Sequence, residues 1–109
     1  MKNYLQVVTT LDDEGKARAM AREVVKARLV ACAQVLGPIT SVYWWQGALE
    51  EAGEYMVVMK TKREYYQRLE EFIKGRHPYT VPEILAFPVV EGNKDYLEWL
   101  EEETAEGEC

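Results

Sequence analysis

Ala33-Gln34-Val35-Leu36-Gly37-Pro38-Ile39-Thr40-Ser41-Val42-Tyr43-Trp44-Trp45, followed by Gln46-Gly47-Ala48 and a return from Leu49 to Lys62, is the stretch that decides the fold. Its first part reads as one long strand, interrupted at Gly37-Pro38, where a proline points to a bulge or an edge. Gln46-Gly47-Ala48 makes a turn, and the chain comes back as a second strand. There Tyr55, Val57 and Met59 alternate with Met56, Val58 and Lys60. Both faces are largely apolar, so this strand belongs in the middle of a sheet with part of each face covered. The hairpin is also longer than a small monomer requires.

Outward toward the N-terminus, Tyr4-Leu5-Gln6-Val7-Val8-Thr9 suits a pleated surface and predicts a first strand. Leu11-Asp12-Asp13-Glu14 supplies acidic helix-start signals, with Thr10 and Asp13 spaced as a capping-box variant. Ala17, Ala21, Val24, Val25 and Leu29 then recur at helical spacing. Toward the C-terminus, Tyr65, Tyr66, Leu69, Phe72 and Ile73 predict a second helix over Glu64–Lys74, with Gly75 as its C-cap. Ile84–Val90 predicts a fourth strand, and Tyr96, Leu97, Trp99 and Leu100 a short last helix after Gly92-Asn93.

The resulting order, β-α-β-β-α-β plus a terminal helix, is the ferredoxin-like α+β pattern of two split βαβ units. Right-handed crossovers put the first and third strands in the middle of an antiparallel sheet. The two long helices cover one face. The other face receives many apolar residues, and a bare apolar surface of that kind predicts a homo-oligomer.

The 109 residues make one domain, 48% hydrophobic and 29% charged, enough for a packed core. Of the net charge of -6, five negative charges fall within the last nine residues, so the body is close to neutral. Residues from about 104 to 109 are expected to form a flexible acidic tail. Nucleic acid is not an expected partner of such a chain. No apolar run is long enough to cross a bilayer, and no secretory n-region, h-region and cleavage site open the chain. The expectation is a cytoplasmic protein without a membrane partner. Cys32 lies in an apolar run and is expected as a buried free thiol, unpaired with Cys109 in a reducing compartment.

His77-Pro78-Tyr79-Thr80-Val81-Pro82-Glu83 holds the sole histidine between two prolines. The prolines fix φ and push His77 and Val81 toward extended geometry, so the loop presents its polar groups stiffly.

Five segments together resemble the CutA family, small trimeric proteins named for tolerance to divalent cations. They are Arg28-Leu29-Val30-Ala31-Cys32-Ala33, Ser41-Val42-Tyr43-Trp44-Trp45-Gln46-Gly47, Lys60-Thr61, His77 through Ile84, and Tyr96-Leu97-Glu98-Trp99-Leu100. The resemblance implies a ferredoxin-like protomer in a tight homotrimer similar to the PII signalling trimers. It also implies an association with copper and other divalent ions, and for some relatives the anchoring of other proteins.

His77 is the candidate metal ligand, since imidazole suits copper. Some members of the family carry a cysteine at the end of the first strand and a second histidine before the His-Pro pair; here Thr9 and Arg76 stand there. The alternative for His77 is a hydrogen-bonding role at the subunit interface. Glu106, Glu108 and Cys109 are a weaker candidate metal site. Tyr43, Trp45, Lys60, Tyr79, Pro82 and Glu83 are the residues expected at the trimer interface or lining the cleft between subunits, because aromatic anchors mark interface centres. No nucleophile motif, phosphate-cradling loop or metal-hydrolase spacing is present, so no catalytic residue and no required cofactor is expected; a divalent cation such as copper is the candidate ligand. The alternatives are a PII-like sensor, its cleft attracting an anion through Lys60, Lys62, Arg63 and Arg76, and a trimeric scaffold for a partner protein.

Overall fold

A computed structural model describes residues 3–104. The elements are β1 (Tyr4–Leu11), α1 (Glu14–Lys26), β2 (Cys32–Trp45), β3 (Ala48–Lys62), α2 (Tyr66–Arg76, entered through a 3-10 turn at Arg63–Tyr65), β4 (Ile84–Pro88) and α3 (Lys94–Glu103). They form one antiparallel sheet in the order β2-β3-β1-β4, the ferredoxin-like arrangement, with β1 and β3 in the middle as expected.

One sheet face carries Leu5, Val7 and Leu11 of β1 with Val57 and Met59 of β3, and α1 and α2 close over it with Ala17, Met20, Val24, Leu69 and Ile73. Helical spacing located the buried stripe of α1 but not all its members: Met20 enters the core, whereas Val25 is turned outward. Asp13, not Thr10, caps α1, its Oδ2 accepting the Lys16 N–H at 2.9 Å, because β1 runs on to Leu11 and holds Thr10 in the sheet. The helix ends in a Schellman arrangement, with the Arg28 N–H donating to Val25 O and the Leu29 N–H to Val24 O; Arg28 sits at φ 63°, where glycine is usual. Gly75 is likewise no cap. The second helix continues through it to Arg76, and stops because Pro78 forces His77 into extended geometry (φ -81°, ψ 135°).

The opposite face is not wholly bare. α3 lies across one end of it, with Leu100 buried. Lys62 and Tyr4 both donate to the Glu101 carboxylate at 3.1 Å, and the Arg28 guanidinium reaches Glu103 at 2.8 Å. Glu101 and Glu103 therefore belong to the folded body rather than to a solvated acidic end. Thr104, where a flexible tail was expected to begin, is buried, its hydroxyl donating to Leu100 O at 2.8 Å. Residues 105–109, including Glu106, Glu108 and Cys109, lie outside the described residues.

Beyond α3 this face leaves Leu36, Leu85 and Phe87 about half exposed. Past the register shift between Leu36 and Ile39, the β2–β3 hairpin continues alone, without β1 beneath it. Its two-residue turn, Gln46 (φ 51°) and Gly47 (φ 81°), has the left-handed geometry of a type I′ connection; Ala48 is already paired with Trp45. The arm stretches the molecule to 44 × 30 × 21 Å. At Gly37, where the arm leaves the sheet, φ is 155° and a Cβ would run into the Tyr55 ring and approach Glu54 O to 3.0 Å. Only glycine fits there.

Candidate functional site

The foot of the arm and the His77 loop enclose a cavity of about 480 Å³ lined by Asp12, Tyr43, Trp45, Ala52, Pro78, Tyr79, Thr80 and Val81. Each side chain is there for a local reason. Alternation along β2 puts Tyr43 and Trp45 on one face, and the register sets Ala52 and Glu54 on that same face of β3. Asp12 follows the last residue of β1, and the two prolines hold Tyr79 over the end of the sheet.

His77 anchors the loop. Its Nδ1 accepts the Tyr79 N–H at 3.2 Å, so the proton rides on Nε2, which donates to Thr10 O at 2.8 Å. Burial pushes the imidazole below its ordinary pKa, outweighing the opposing influence of the Thr10 carbonyl, Asp12 and Glu54, and the ring is neutral at physiological pH. The Tyr79 ring meets the imidazole edge-on at 4.7 Å between centroids. Its hydroxyl donates to Glu54 Oε2 at 2.6 Å. Burial, that hydrogen bond and the negative charges of Glu54 and Asp12 hold the phenol well above the usual tyrosine range, so it stays a donor.

This geometry does not fit a metal centre at His77. Both ring nitrogens are engaged by backbone groups and neither offers a free lone pair. Among the described residues no three His, Cys, Asp or Glu side chains converge on a common point. Thr9, at the position where some members of the family carry cysteine, is fully buried, and its hydroxyl has no hydrogen-bond partner among the described residues. Cys32 is half-buried and free, not buried; its sulfur lies 3.5 Å from the Tyr96 hydroxyl, a contact that together with burial pushes the phenol up to about 12.

Of the six residues expected at an inter-subunit cleft, the structure brings Tyr43, Trp45 and Tyr79 together at this cavity. Glu83 is exposed and Pro82 half-buried just before β4, outside the lining. Lys60 bonds Gln34 Oε1 at 3.2 Å and lies eight residues along β3 from Ala52, which at 3.4 Å per residue is about 27 Å. Of the basic residues considered for an anion, Lys62 is bound to Glu101, and Arg76 pairs with Glu23 at 3.2 Å while stacking over Phe72. Sequence reasoning missed Glu54 and Asp12. A glutamate in a solvated-looking run, Glu50-Glu51-Ala52-Gly53-Glu54, gives no sign of burial; the one available clue was its even spacing from Ala48 and Ala52 on the tyrosine and tryptophan face.

The fold and this site define a ferredoxin-like α+β domain with an aromatic, acidic cavity at the base of a projecting hairpin. Residues 5–103 match the family model described as CutA1 divalent ion tolerance protein, and the chain belongs to that family. The divalent-cation tolerance protein CutA of Thermus thermophilus is 44% identical over 98 residues, covering 90% of this chain and 95% of that protein. Its Yersinia pestis counterpart is 41% identical, covering 90% and 82%. Among solved structures, CutA1 of Thermus thermophilus superposes with a TM-score of 0.89 at 42% identity, covering 96% of this chain and all of that one. CutA1 of Oryza sativa gives 0.93 at 33% identity, covering 96% of each. A similar structure from Archaeoglobus fulgidus, at 31% identity, a TM-score of 0.89 and covering 96% of this chain and 100% of that one, is described as a periplasmic divalent cation tolerance protein. In this chain no helix of the described residues is long and apolar enough to cross a membrane.

Proposed function

We propose that this protein serves divalent-cation tolerance as a cytoplasmic, non-enzymatic homotrimer whose working surface is the cleft where the hairpin arm meets a neighbouring subunit. One observation carries the reading: the arm bears large apolar side chains on both faces, and its own chain leaves them substantially exposed. Trp44 is 73% exposed and Leu49 63% on one face, with Tyr43 at 41% and Trp45 at 44% on the other. Leu36, Leu85 and Phe87 extend that surface across the open part of the sheet. A soluble monomer rarely keeps so much apolar area in water. Tyr43, Trp45 and Tyr79 are the anchors in this reading, with Pro82 and Glu83 at the cleft's edge and Lys60 nearer the sheet's α3 end.

Sedimentation of Trp45→Ala tests it: the variant is expected to dissociate at concentrations where the parent remains a trimer, and an intact trimer of unchanged melting temperature removes Trp45 from the interface. Copper is the ion with which to test the metal relation. In this reading a calorimetric copper titration of Cys109→Ser, which removes the terminal thiol, matches that of Cys109→Ser/His77→Ala. Saturable binding that vanishes with His77→Ala would restore the histidine as a ligand and require the loop to open. The cavity favours a second reading, a small-ligand sensor using the same cleft.

A further inference from the structure

We infer that the cavity at the foot of the arm binds a small organic cation bearing a quaternary ammonium group. The inference gives a ligand class to the cleft proposed above and needs that cleft open to solvent.

The volume of about 480 Å³ is that of a small-molecule pocket. Its walls are aromatic on two sides: Tyr43 and Trp45 from the arm, Tyr79 from the loop. Such faces present negative quadrupole density and attract alkylammonium groups. The charges are negative as well. Asp12 lines the cavity. Behind Tyr79, Glu54 is only 6% exposed and accepts a hydrogen bond from the phenol hydroxyl, and among the described residues it forms no ion pair. A carboxylate so far from water ordinarily has a cationic partner, and here the phenol is neutral. The neighbouring imidazole is neutral too. The nearest opposing cation, Lys16, reaches Asp12 only at 3.9 Å, with both side chains 55% exposed, a loose pair that a ligand displaces at little cost.

An inorganic divalent ion suits this place less well. It needs several oxygen or nitrogen donors at coordination distance, whereas the cavity wall is mostly ring and methyl surface. An alkylammonium group instead spreads its charge over a shape that rings can enclose.

The test is calorimetric titration of the full chain with tetramethylammonium chloride, against neopentyl alcohol as a neutral group of similar shape, while NMR follows the Trp45 indole N–H. Saturable binding of the cation that moves this resonance, with the alcohol silent, is expected. Glu54→Gln, which can still accept from Tyr79, and Asp12→Asn, at an exposed position, should each weaken binding roughly tenfold. Trp45→Leu should abolish it. Equal binding of the alcohol, no saturable binding, or affinity indifferent to Asp12→Asn and Glu54→Gln each overturns the inference. So does copper chloride saturating the cavity where tetramethylammonium does not.

Sedimentation of the same samples separates the two proposals. A trimer that does not bind refutes the cation site alone, and a monomer that binds refutes the assembly alone. A monomer that does not bind refutes both.

Discussion

The body of the sheet and the arm that projects from it are made from the same two strands, yet they solve opposite problems. Within the body, β3 is flanked by β1 and β2, and Val57 and Met59 are wholly buried beneath α1 and α2. Past Gly37 the same pairing continues with aromatic and branched residues of β2 on both faces, opposite the glutamate-rich start of β3, and the largest of these side chains stay exposed. Apolar alternation in a strand thus specifies that a face will be covered, but not by which chain.

The largest expected effect breaks this comparison directly. Leu69→Ala removes a fully buried side chain under the body of the sheet. It should cost about 2–5 kcal/mol in denaturant unfolding, from lost transfer energy and the cavity left behind. Trp44→Ala deletes a larger side chain, but one that is 73% exposed. Its effect on unfolding of the isolated chain should stay within about 0.5 kcal/mol. Its full effect should appear only as a concentration-dependent loss of melting temperature, because partner contacts stabilise by mass action. Equal losses from the two variants in dilute protein would mean that the arm packs on its own body after all.

A smaller effect comes from the loop where body and arm meet. His77 is buried neutral, with its pKa below the ordinary value of 6.5. The unfolded chain therefore binds a proton that the folded chain refuses, so stability rises with pH across this range. It is fully present above 6.5. It declines as pH falls from there through the lowered folded value, where protonated Nδ1 would face the Tyr79 N–H as a second donor. Melting temperature measured from pH 7.5 down to pH 5 should fall, and His77→Gln should flatten the slope. A slope that survives the substitution would assign the titration elsewhere.

Legibility in the sequence followed the same division. Strand order, both long helices and the short last one were readable because their apolar periods answer to packing within one chain. Element ends were less so, where a proline effect two residues away (His77 before Pro78) outweighed a glycine's capping preference at Gly75. The aromatic part of the cavity was readable from Tyr43, Trp45 and Tyr79. Its acidic part was not, because burial of Glu54 depends on the Tyr79 hydroxyl arriving from a loop 25 residues on. His77 shows the same limit. A lone histidine looks the same in sequence whether its nitrogens face a metal or the carbonyl of Thr10, 67 positions away.

The smallest expected effect lies inside the body and carries the opposite sign. Thr9 is wholly buried in β1, between Val57 of β3 and Ile84 of β4, and its Oγ1 has no hydrogen-bond partner among the described residues. Among the described residues the hydroxyl finds no partner to replace the water it loses on folding. Its main chain is already paired in the sheet, and a β-branched residue suits the site as well as threonine does. Thr9→Val keeps the shape, removes the unmet polar atom, and should raise unfolding free energy by about 1 kcal/mol. The arm offers no equivalent gain, since its buried polar side chain, Glu54, already accepts a hydrogen bond from Tyr79. A loss of stability instead would show that Thr9 Oγ1 is satisfied in solution, by a water molecule held in the core of the sheet.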